Sequence, residues 1–138
     1  MSDETRLESG APPAEEPALR TLAMPADANP SGDIFGGWVL AQMDLAGALP
    51  AVRHAGGRIV TVAVEAMRFH QPIFIGDLVT CYAHIAKTGR TSMQVKIETW
   101  VRRHRDGAEV MVTEGTFIYV AVDDLGRPRV LPDSLQTA

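Results

Sequence analysis

The first residue that needs a chemical explanation is Asp44, a carboxylate in the middle of an apolar run. From Phe35 to Leu49, only Gln42 and Asp44 are polar. An ionised carboxylate is costly to bury unless it is paired, hydrogen-bonded or neutralised. The positions three and four residues away carry no cation, so a partner must come from elsewhere or the side chain must face a wet cleft. A carboxylate in such a cleft can act as general base or nucleophile, and a structural aspartate bonded to a backbone amide or an arginine is the alternative.

Two glycines, Gly36 and Gly37, stand where the segment that contains Asp44 begins. The N-terminus of a helix presents unpaired backbone N–H groups and the positive end of the helix dipole. Glycine allows a ligand to approach that backbone closely, and an oxyanion that develops there is stabilised. The alternative is that the two glycines allow tight packing of the helix on a sheet.

The segment that carries Asp44 is predicted to form one long buried helix. Its apolar residues cover every side of a helical wheel, which is typical of a buried helix rather than a surface one. Pro50 is expected to kink or end this helix near Leu49, with room for a short continuation to His54 before Gly56.

The residues after Arg58 alternate with period two, which predicts strands with one buried face. Turns are expected at Gly76-Asp77, Gly89 and Asp106-Gly107, and a short edge strand at Leu19 to Met24. The expected buried faces are Val60, Val62 and Val64; Val79, Cys81, Ala83 and Ile85; Met93, Val95, Ile97 and Val101; and Ile118, Val120 and Val122. We therefore predict an α+β fold in which a strongly curved antiparallel sheet wraps around one helix, and a second copy covers the rest of that helix.

Length and composition favour one soluble domain. The chain has 138 residues, and 46% of them are hydrophobic. We expect a disordered tail over residues 1–18, a domain over 19–132 and a short tail over 133–138. The net charge of −4 argues against nucleic acid as a partner. Without a signal-peptide core or an apolar run of membrane length, no membrane association and a cytoplasmic location are expected.

Several motifs resemble the YciA-like acyl-CoA thioesterases. They are Leu19-Arg-Thr-Leu-Ala-Met-Pro, Asp27-Ala-Asn-Pro-Ser-Gly-Asp-Ile-Phe-Gly-Gly-Trp, Gln42-Met-Asp, Val60-Thr-Val-Ala-Val-Glu and Phe117-Ile-Tyr-Val-Ala-Val-Asp. The resemblance implies a hotdog fold, edge-to-edge homodimers that commonly form hexamers as trimers of dimers, and hydrolysis of many acyl-CoAs. It also implies that no metal or cofactor is needed, coenzyme A being part of the substrate and product.

The resemblance also implies which residues form the site. Asp44 matches the catalytic aspartate, and Asn29 matches an active-site asparagine. Gly36 and Gly37 match the glycines whose amides line the oxyanion site. In such enzymes the site straddles the dimer interface, so Asp44 would work with Asn29 and Gly36 of the other subunit. Phe35 stands where many relatives have the histidine of His-Gly-Gly.

A coenzyme A handle carries several phosphates, so cations are expected at the mouth of the cleft. The candidates are Arg58 at the start of a strand, and Lys87, Arg90 and Ser92 around the Gly89 turn; ordinary solvated charge is the alternative. Thr61, Val62 and Ala63 are candidates to run along the pantetheine arm. The basic run at residues 102–105 is interpreted as a solvated turn, Cys81 as core, and the histidines show no metal-ligand spacing.

Two other functions compete with hydrolysis. A hotdog dehydratase needs a histidine and an acid that face one substrate, but no histidine flanks Asp44. A non-catalytic acyl-CoA binding module has the same fold, because one fold hosts many functions. The combination of Asp44, Asn29 and Gly36 favours hydrolysis over both.

Overall fold

The computed structural model describes residues 10–132, so the predicted tail over 133–138 and residues 1–9 of the predicted N-terminal tail lie outside the described range. Residues 10–18 contain no helix or strand, and the Ala18 N–H donates to the Cys81 carbonyl at 2.9 Å. The elements are β1 (Leu19–Leu22), α1 (Gly36–Ala55), β2 (Ile59–Phe69), β3 (Leu78–Thr88), β4 (Ser92–Arg102) and β5 (Glu109–Ala121), with a short 3₁₀ turn at Pro25–Asp27. The domain boundary at residue 19 stays a prediction.

The five strands form one antiparallel sheet in the order β1-β3-β4-β5-β2. The single long helix α1 packs on β3, β4 and β5 and contacts both edge strands. The predicted fold class, a curved sheet around one helix, is therefore confirmed. Strand β2 lies at one edge of the sheet, and β1 lies at the other.

Of the two helix ends that the sequence allowed, near Leu49 or near His54, helix α1 has the longer one. It continues through Pro50 to Ala55 and ends at Gly56, whose φ is 69° and whose N–H donates to the Val52 carbonyl at 3.0 Å. A proline inside a helix removes one hydrogen bond and costs about 3 kcal/mol or more. Ala51 and Ala55 are fully buried beyond the proline, so packing of the last turn on the core offsets this cost.

Only one side of α1 is covered by the chain's own sheet. Val39, Met43 and other small or apolar residues on that side are buried. On the other side Leu45, Leu49 and Val52 are 58%, 47% and 41% exposed. These three residues are spaced by four and three, so they form one apolar stripe along the helix. Helix α1 is therefore apolar all round because both its buried side and its exposed side carry apolar residues.

The predicted faces of β3 and β4 are confirmed. The predicted buried face over Ile118, Val120 and Val122 is wrong for Ile118 and Val120, which are half-buried, but right for Val122, which is buried just beyond β5. Val79 and Cys81 of β3 and all four predicted β4 residues are buried in the core. On β5 it is Phe117, Tyr119 and Ala121 that are fully buried. Apolar residues occupy both faces of this strand, so alternation alone did not distinguish them.

The exposed valines of β2 reflect its place at the sheet edge. The predicted buried face over Val60, Val62 and Val64 is wrong for this chain alone, because Val62 and Val64 are largely exposed. A β-bulge between Thr61 and Ala63 interrupts the alternation. After the bulge, Val64 pairs with Phe117 and so shares the sheet face that α1 covers elsewhere.

Candidate active site

Asp44 is held by two hydroxyl groups from two strands. The Thr61 hydroxyl, on β2, donates to Asp44 Oδ1 at 2.7 Å. The Tyr119 hydroxyl, on β5, lies 2.8 Å from the Asp44 main-chain oxygen and 3.2 Å from Oδ1. Within residues 10–132, Asp44 Oδ2 has no hydrogen-bond partner, and no arginine or backbone amide binds this carboxylate. In the described residues, Asp44 is therefore not a structural aspartate bonded to a backbone amide or an arginine.

Tyr119 is the residue of this site that the sequence did not reveal. It is 1% exposed, and burial, followed by the charge of Asp44 and their hydrogen bond, raises the pKa of its hydroxyl. The signal that could have found it is Gly47, a glycine inside a helix, which costs about 0.5–1 kcal/mol relative to alanine. A Cβ at Gly47 would collide with the Tyr119 hydroxyl and lie 2.7 Å from Ile97 Cδ1. Gly47 therefore makes room for the tyrosine.

The three residues expected along the pantetheine arm lie around the β2 bulge. The Thr61 hydroxyl donates its hydrogen bond to the Asp44 carboxylate of the same chain. Val62 is the bulge position and is 54% exposed, and Ala63 is half-buried. A role for these three residues in binding the arm stays a prediction.

Asn29 lies in a tight turn before α1 and uses its side-chain oxygen locally. Its Oδ1 accepts hydrogen bonds from the backbone N–H groups of Ser31, at 2.9 Å, and Asp33, at 3.2 Å. This fixes the side-chain orientation, as Asn commonly does in turns. Among the described residues, the Asn29 Nδ2 group has no acceptor, so two N–H donors remain available to a ligand.

Gly36 and Gly37 open the helix with free backbone donors. The first intrahelical bonds run from Trp38 and Val39 to the Phe35 carbonyl, so in the described part of the chain the N–H groups of both glycines are unpaired. A Cβ at Gly37 would meet nothing within 4 Å, and one at Gly36 would meet only the Phe69 ring, at 3.6 Å. Close packing within this chain therefore requires neither glycine.

A cavity of about 300 Å³ lies beside this helix start. Asn29, Gly36, Val39, Phe69 and Thr113 are among the residues that line it. A larger cavity, of about 920 Å³, lies on the outer face of the sheet beneath residues 11–15 and contains none of the candidate catalytic residues. The smaller cavity therefore contains Asn29 and Gly36 of the predicted site, but neither Gly37 nor Asp44 lines it.

Within one chain, the two halves of the predicted site are apart. Asp44 is eight residues beyond Gly36 along α1, about 12 Å at 1.5 Å per residue. Thr61, beside Asp44, and Phe69, beside Gly36, lie near opposite ends of the 11-residue strand β2. Within one chain, Asn29 therefore lies near Gly36 and Asp44 lies near Thr61, but these two pairs of residues lie apart from each other.

The four residues proposed for the phosphates gather at one end of the sheet. The start of β2 pairs with the end of β5, which pairs with Ser92 at the start of β4. Arg58 Nη1 donates to the Asp124 carbonyl at 3.4 Å. Lys87 and Arg90 are exposed, and the described residues provide no partner for their charged groups. The Ser92 hydroxyl lies beside Gly89, inside the turn. Their role as phosphate ligands stays a prediction.

Other reactive side chains belong to the core or lie apart. Cys81 is buried, and desolvation raises the pKa of its thiol from 9.0 to about 11. Across residues 10–132, no group of three or more histidine, cysteine, aspartate or glutamate side chains could hold a metal ion. In the same range, no helix is both long and apolar enough to span a membrane.

Comparison with known proteins identifies the class. The model of the thioesterase superfamily matches residues 31–108. The YciA acyl-CoA thioester hydrolase of Salmonella typhimurium is 53% identical over 123 residues, covering 87% of this chain and 92% of the relative. The chain therefore belongs to the thioesterase superfamily and, within it, to the YciA-like acyl-CoA thioester hydrolases.

Two solved structures are similar over most of this chain. The hexameric thioesterase y2039 of Yersinia pestis superposes with a TM-score of 0.83 at 52% identity, covering 88% of this chain and 99% of that one. HI0827, a hexameric broad-specificity acyl-coenzyme A thioesterase crystallised as an aspartate-to-alanine variant, gives a TM-score of 0.82 at 49% identity, covering 86% and 87%. The resemblance drawn from the sequence motifs is confirmed.

Proposed function

We propose that this chain hydrolyses acyl-CoA thioesters to a free acid and coenzyme A, with Asp44 as general base or nucleophile. The observation that carries this proposal is the geometry of Asp44. Its carboxylate is oriented by two hydroxyl groups at Oδ1, whereas Oδ2 is unpartnered in the described chain. An oriented carboxylate with one free oxygen is suited to taking a proton from water or attacking a carbonyl carbon.

We further propose that the complete site forms between two copies. Strand β2 is an edge strand whose outer side pairs with no other strand of residues 10–132, and the exposed stripe of Leu45, Leu49 and Val52 lies on the helix. Antiparallel pairing of β2 with itself about a two-fold axis places the Thr61 end of one strand beside the Phe69 end of the other. Asp44 then faces the partner's helix start. Since y2039 and HI0827 are hexamers, a trimer of such dimers is the assembly we propose.

In this arrangement the protein stabilises the oxyanion, takes a proton from water and returns that proton to the leaving thiolate. The thioester oxygen lies against the free N–H groups of Gly36 and Gly37, with the Asn29 amide as a further donor. In the general-base route, Asp44 takes a proton from water as the hydroxide adds to the carbonyl carbon. The oxyanion collapses, the C–S bond breaks, and the thiolate recovers the proton from Asp44 to give coenzyme A. In the nucleophilic route, Asp44 forms a mixed anhydride that water hydrolyses.

Binding of the nucleotide end is proposed at the cationic end of the sheet. Arg58 lies three residues before Thr61, roughly 10 Å along an extended strand. Lys87, Arg90 and Ser92 flank the same end, and the charged groups of Lys87 and Arg90, which have no partner among residues 10–132, suit phosphate groups. Coenzyme A is part of the substrate in this proposal, with no metal or cofactor. The lone cysteine, without a disulfide partner, supports the cytoplasm as the compartment.

The test is release of free thiol from acyl-CoAs of increasing chain length. Asp44→Ala should lower turnover by about 100-fold or more, because the general base or nucleophile is lost. Asp106→Ala, which removes a carboxylate in the β4–β5 turn, serves as the matched control and should keep normal turnover. Near-normal activity of Asp44→Ala would remove Asp44 from the mechanism. Tight acyl-CoA binding by the native protein without thiol release would favour a dehydratase or a binding module instead.

A further inference from the structure

The two oxygens of the Asp44 carboxylate have different surroundings. Oδ1 lies within hydrogen-bond distance of two hydroxyl groups, those of Thr61 and Tyr119. Oδ2 has no partner among residues 10–132. The Thr61 hydroxyl donates to Oδ1, and the single Tyr119 O–H proton is shared between Oδ1 and the main-chain oxygen, so both hydroxyl groups engage the same carboxylate oxygen. The uncommitted oxygen is therefore the one available for proton transfer or attack.

Tyr119 holds Asp44 by two of its atoms. Its hydroxyl is 2.8 Å from the main-chain oxygen and 3.2 Å from Oδ1 of the same residue. Its ring is fully buried and stacks on Phe117, with centroids 6.4 Å apart and an angle of 21° between the planes. Burial and the nearby carboxylate both raise the pKa of the phenol, so the group stays a donor. The ring cannot move without disturbing the core.

The helix is shaped to admit this hydroxyl. Gly47 lies three residues beyond Asp44, and any side chain there would overlap the Tyr119 hydroxyl. Glycine is otherwise a poor residue for the middle of a helix. The close approach of Tyr119 to Asp44 thus depends on Gly47, which also leaves room for Ile97 Cδ1.

We propose that Tyr119 is a positioning residue for hydrolysis: together with Thr61 it fixes Oδ1 of Asp44, so that Oδ2 is the reacting oxygen. Tyr119 does not itself touch the substrate. This inference rests on the proposed function of Asp44 and adds to it which oxygen reacts and what orients it.

The direct test is Tyr119→Phe, which removes the hydroxyl and keeps the ring. We expect kcat to fall by about tenfold, since one orienting hydrogen bond is lost, while KM for an acyl-CoA stays within about twofold. The matched control is Tyr82→Phe, which removes the hydroxyl of a tyrosine that lines the cavity on the outer face of the sheet. That control should leave kcat unchanged.

Gly47→Ala provides an independent arm, because it keeps the hydroxyl but displaces it. We expect kcat to fall for this variant as well. In the Tyr119→Phe background the same change should lower kcat by a smaller factor, because the hydroxyl it displaces is already absent. Should Tyr119→Phe not fold, Gly47→Ala decides the matter, and a normal kcat for that variant overturns the inference.

The outcomes separate this inference from the proposed function. If Tyr119→Phe keeps the native kcat while Asp44→Ala is inactive, positioning by Tyr119 is wrong and the function of Asp44 stands. A lowered melting temperature with unchanged kcat, or a raised KM with unchanged kcat, would overturn positioning too. If Asp44→Ala is itself active, the proposed mechanism fails.

Discussion

Asn29 uses the two ends of its side-chain amide for different purposes. Its oxygen closes the turn over Ser31 and Asp33, and this leaves the NH₂ group turned away from those backbone amides. The cavity beside Gly36 is lined by the same residue. At the scale of single residues, the proposed site therefore consists of donors, at Asn29 and the two glycines, and one carboxylate acceptor, at Asp44.

Asn29→Asp separates these two uses of the amide. The aspartate keeps the acceptor that closes the turn but loses the donor, so we expect thermal stability to stay near native and thiol release to fall by about 100-fold, as for loss of an oxyanion donor. Asn29→Ala should lose both the turn contacts and activity. Melting temperature and kcat, measured on both variants, check this. Full activity in Asn29→Asp would show that the NH₂ group does not serve the substrate.

At the scale of elements, a buried ion pair ties together the loops that border the site. Asp77 is 2% exposed, and its Oδ2 accepts hydrogen bonds from Arg103 at 2.6 Å and the Phe74 N–H at 2.9 Å. Arg103 also donates to the Pro72 carbonyl at 2.8 Å. The loop that contains Pro72 and Phe74 is fixed in this way. It contacts the segment before α1, because the Ile34 N–H donates to the Ile73 carbonyl at 2.9 Å. The pair therefore supports one wall of the cavity.

Arg103→Met should be strongly destabilising, because it leaves the buried Asp77 carboxylate without its cation. We expect a loss of about 3–5 kcal/mol in the free energy of unfolding. Arg102→Met is the matched control, since Arg102 is exposed and its pair with Glu109 at 3.0 Å is worth about 1 kcal/mol or less. Urea unfolding at one protein concentration measures both. Equal small losses would show that Asp77 does not depend on Arg103.

At the scale of the whole molecule, the exposed edge of β2 and the uncovered side of α1 belong to one surface. Thr61 and Asp44 lie toward one end of β2, and Phe69 and Gly36 toward the other. In the proposed dimer, a two-fold axis through the middle of that strand places the Thr61 end of each β2 beside the Phe69 end of the other. The proposed dimer therefore has two sites, each with one half from each subunit.

Mixed dimers test this arrangement. Asp44→Ala and Asn29→Ala subunits should each be inactive alone, whereas a mixed dimer holds one site with both native residues. Random assortment of co-expressed subunits makes half of the dimers mixed, so about a quarter of native thiol release should return. Subunits with two different substitutions at Asp44 should show no recovery. If Asn29 and Asp44 act within one chain, neither mixture regains activity.

The sequence by itself determined the features that depend on local pattern. The apolar run around Asp44, the period-two alternation of β3 and β4 and the glycine-bearing turns fixed the helix, the strands and the unusual carboxylate, because side-chain direction repeats with the period of each element. The motif resemblance supplied the family and the expected role of Asn29. The sequence left the helix end open between Leu49 and a continuation to His54 before Gly56, and burial of Ala51 and Ala55 decided for the longer helix.

Only the tertiary structure decided what surrounds Asp44. Thr61 and Tyr119 are 17 and 75 residues away in sequence, and their contacts with Asp44 follow from the order of strands and from the bulge in β2. The same is true of Arg103, which the sequence placed in a solvated turn and the fold pairs with Asp77, 26 residues away. Such contacts depend on which faces pack together after folding, and the sequence pattern of one strand or helix does not identify the distant residues that it will contact.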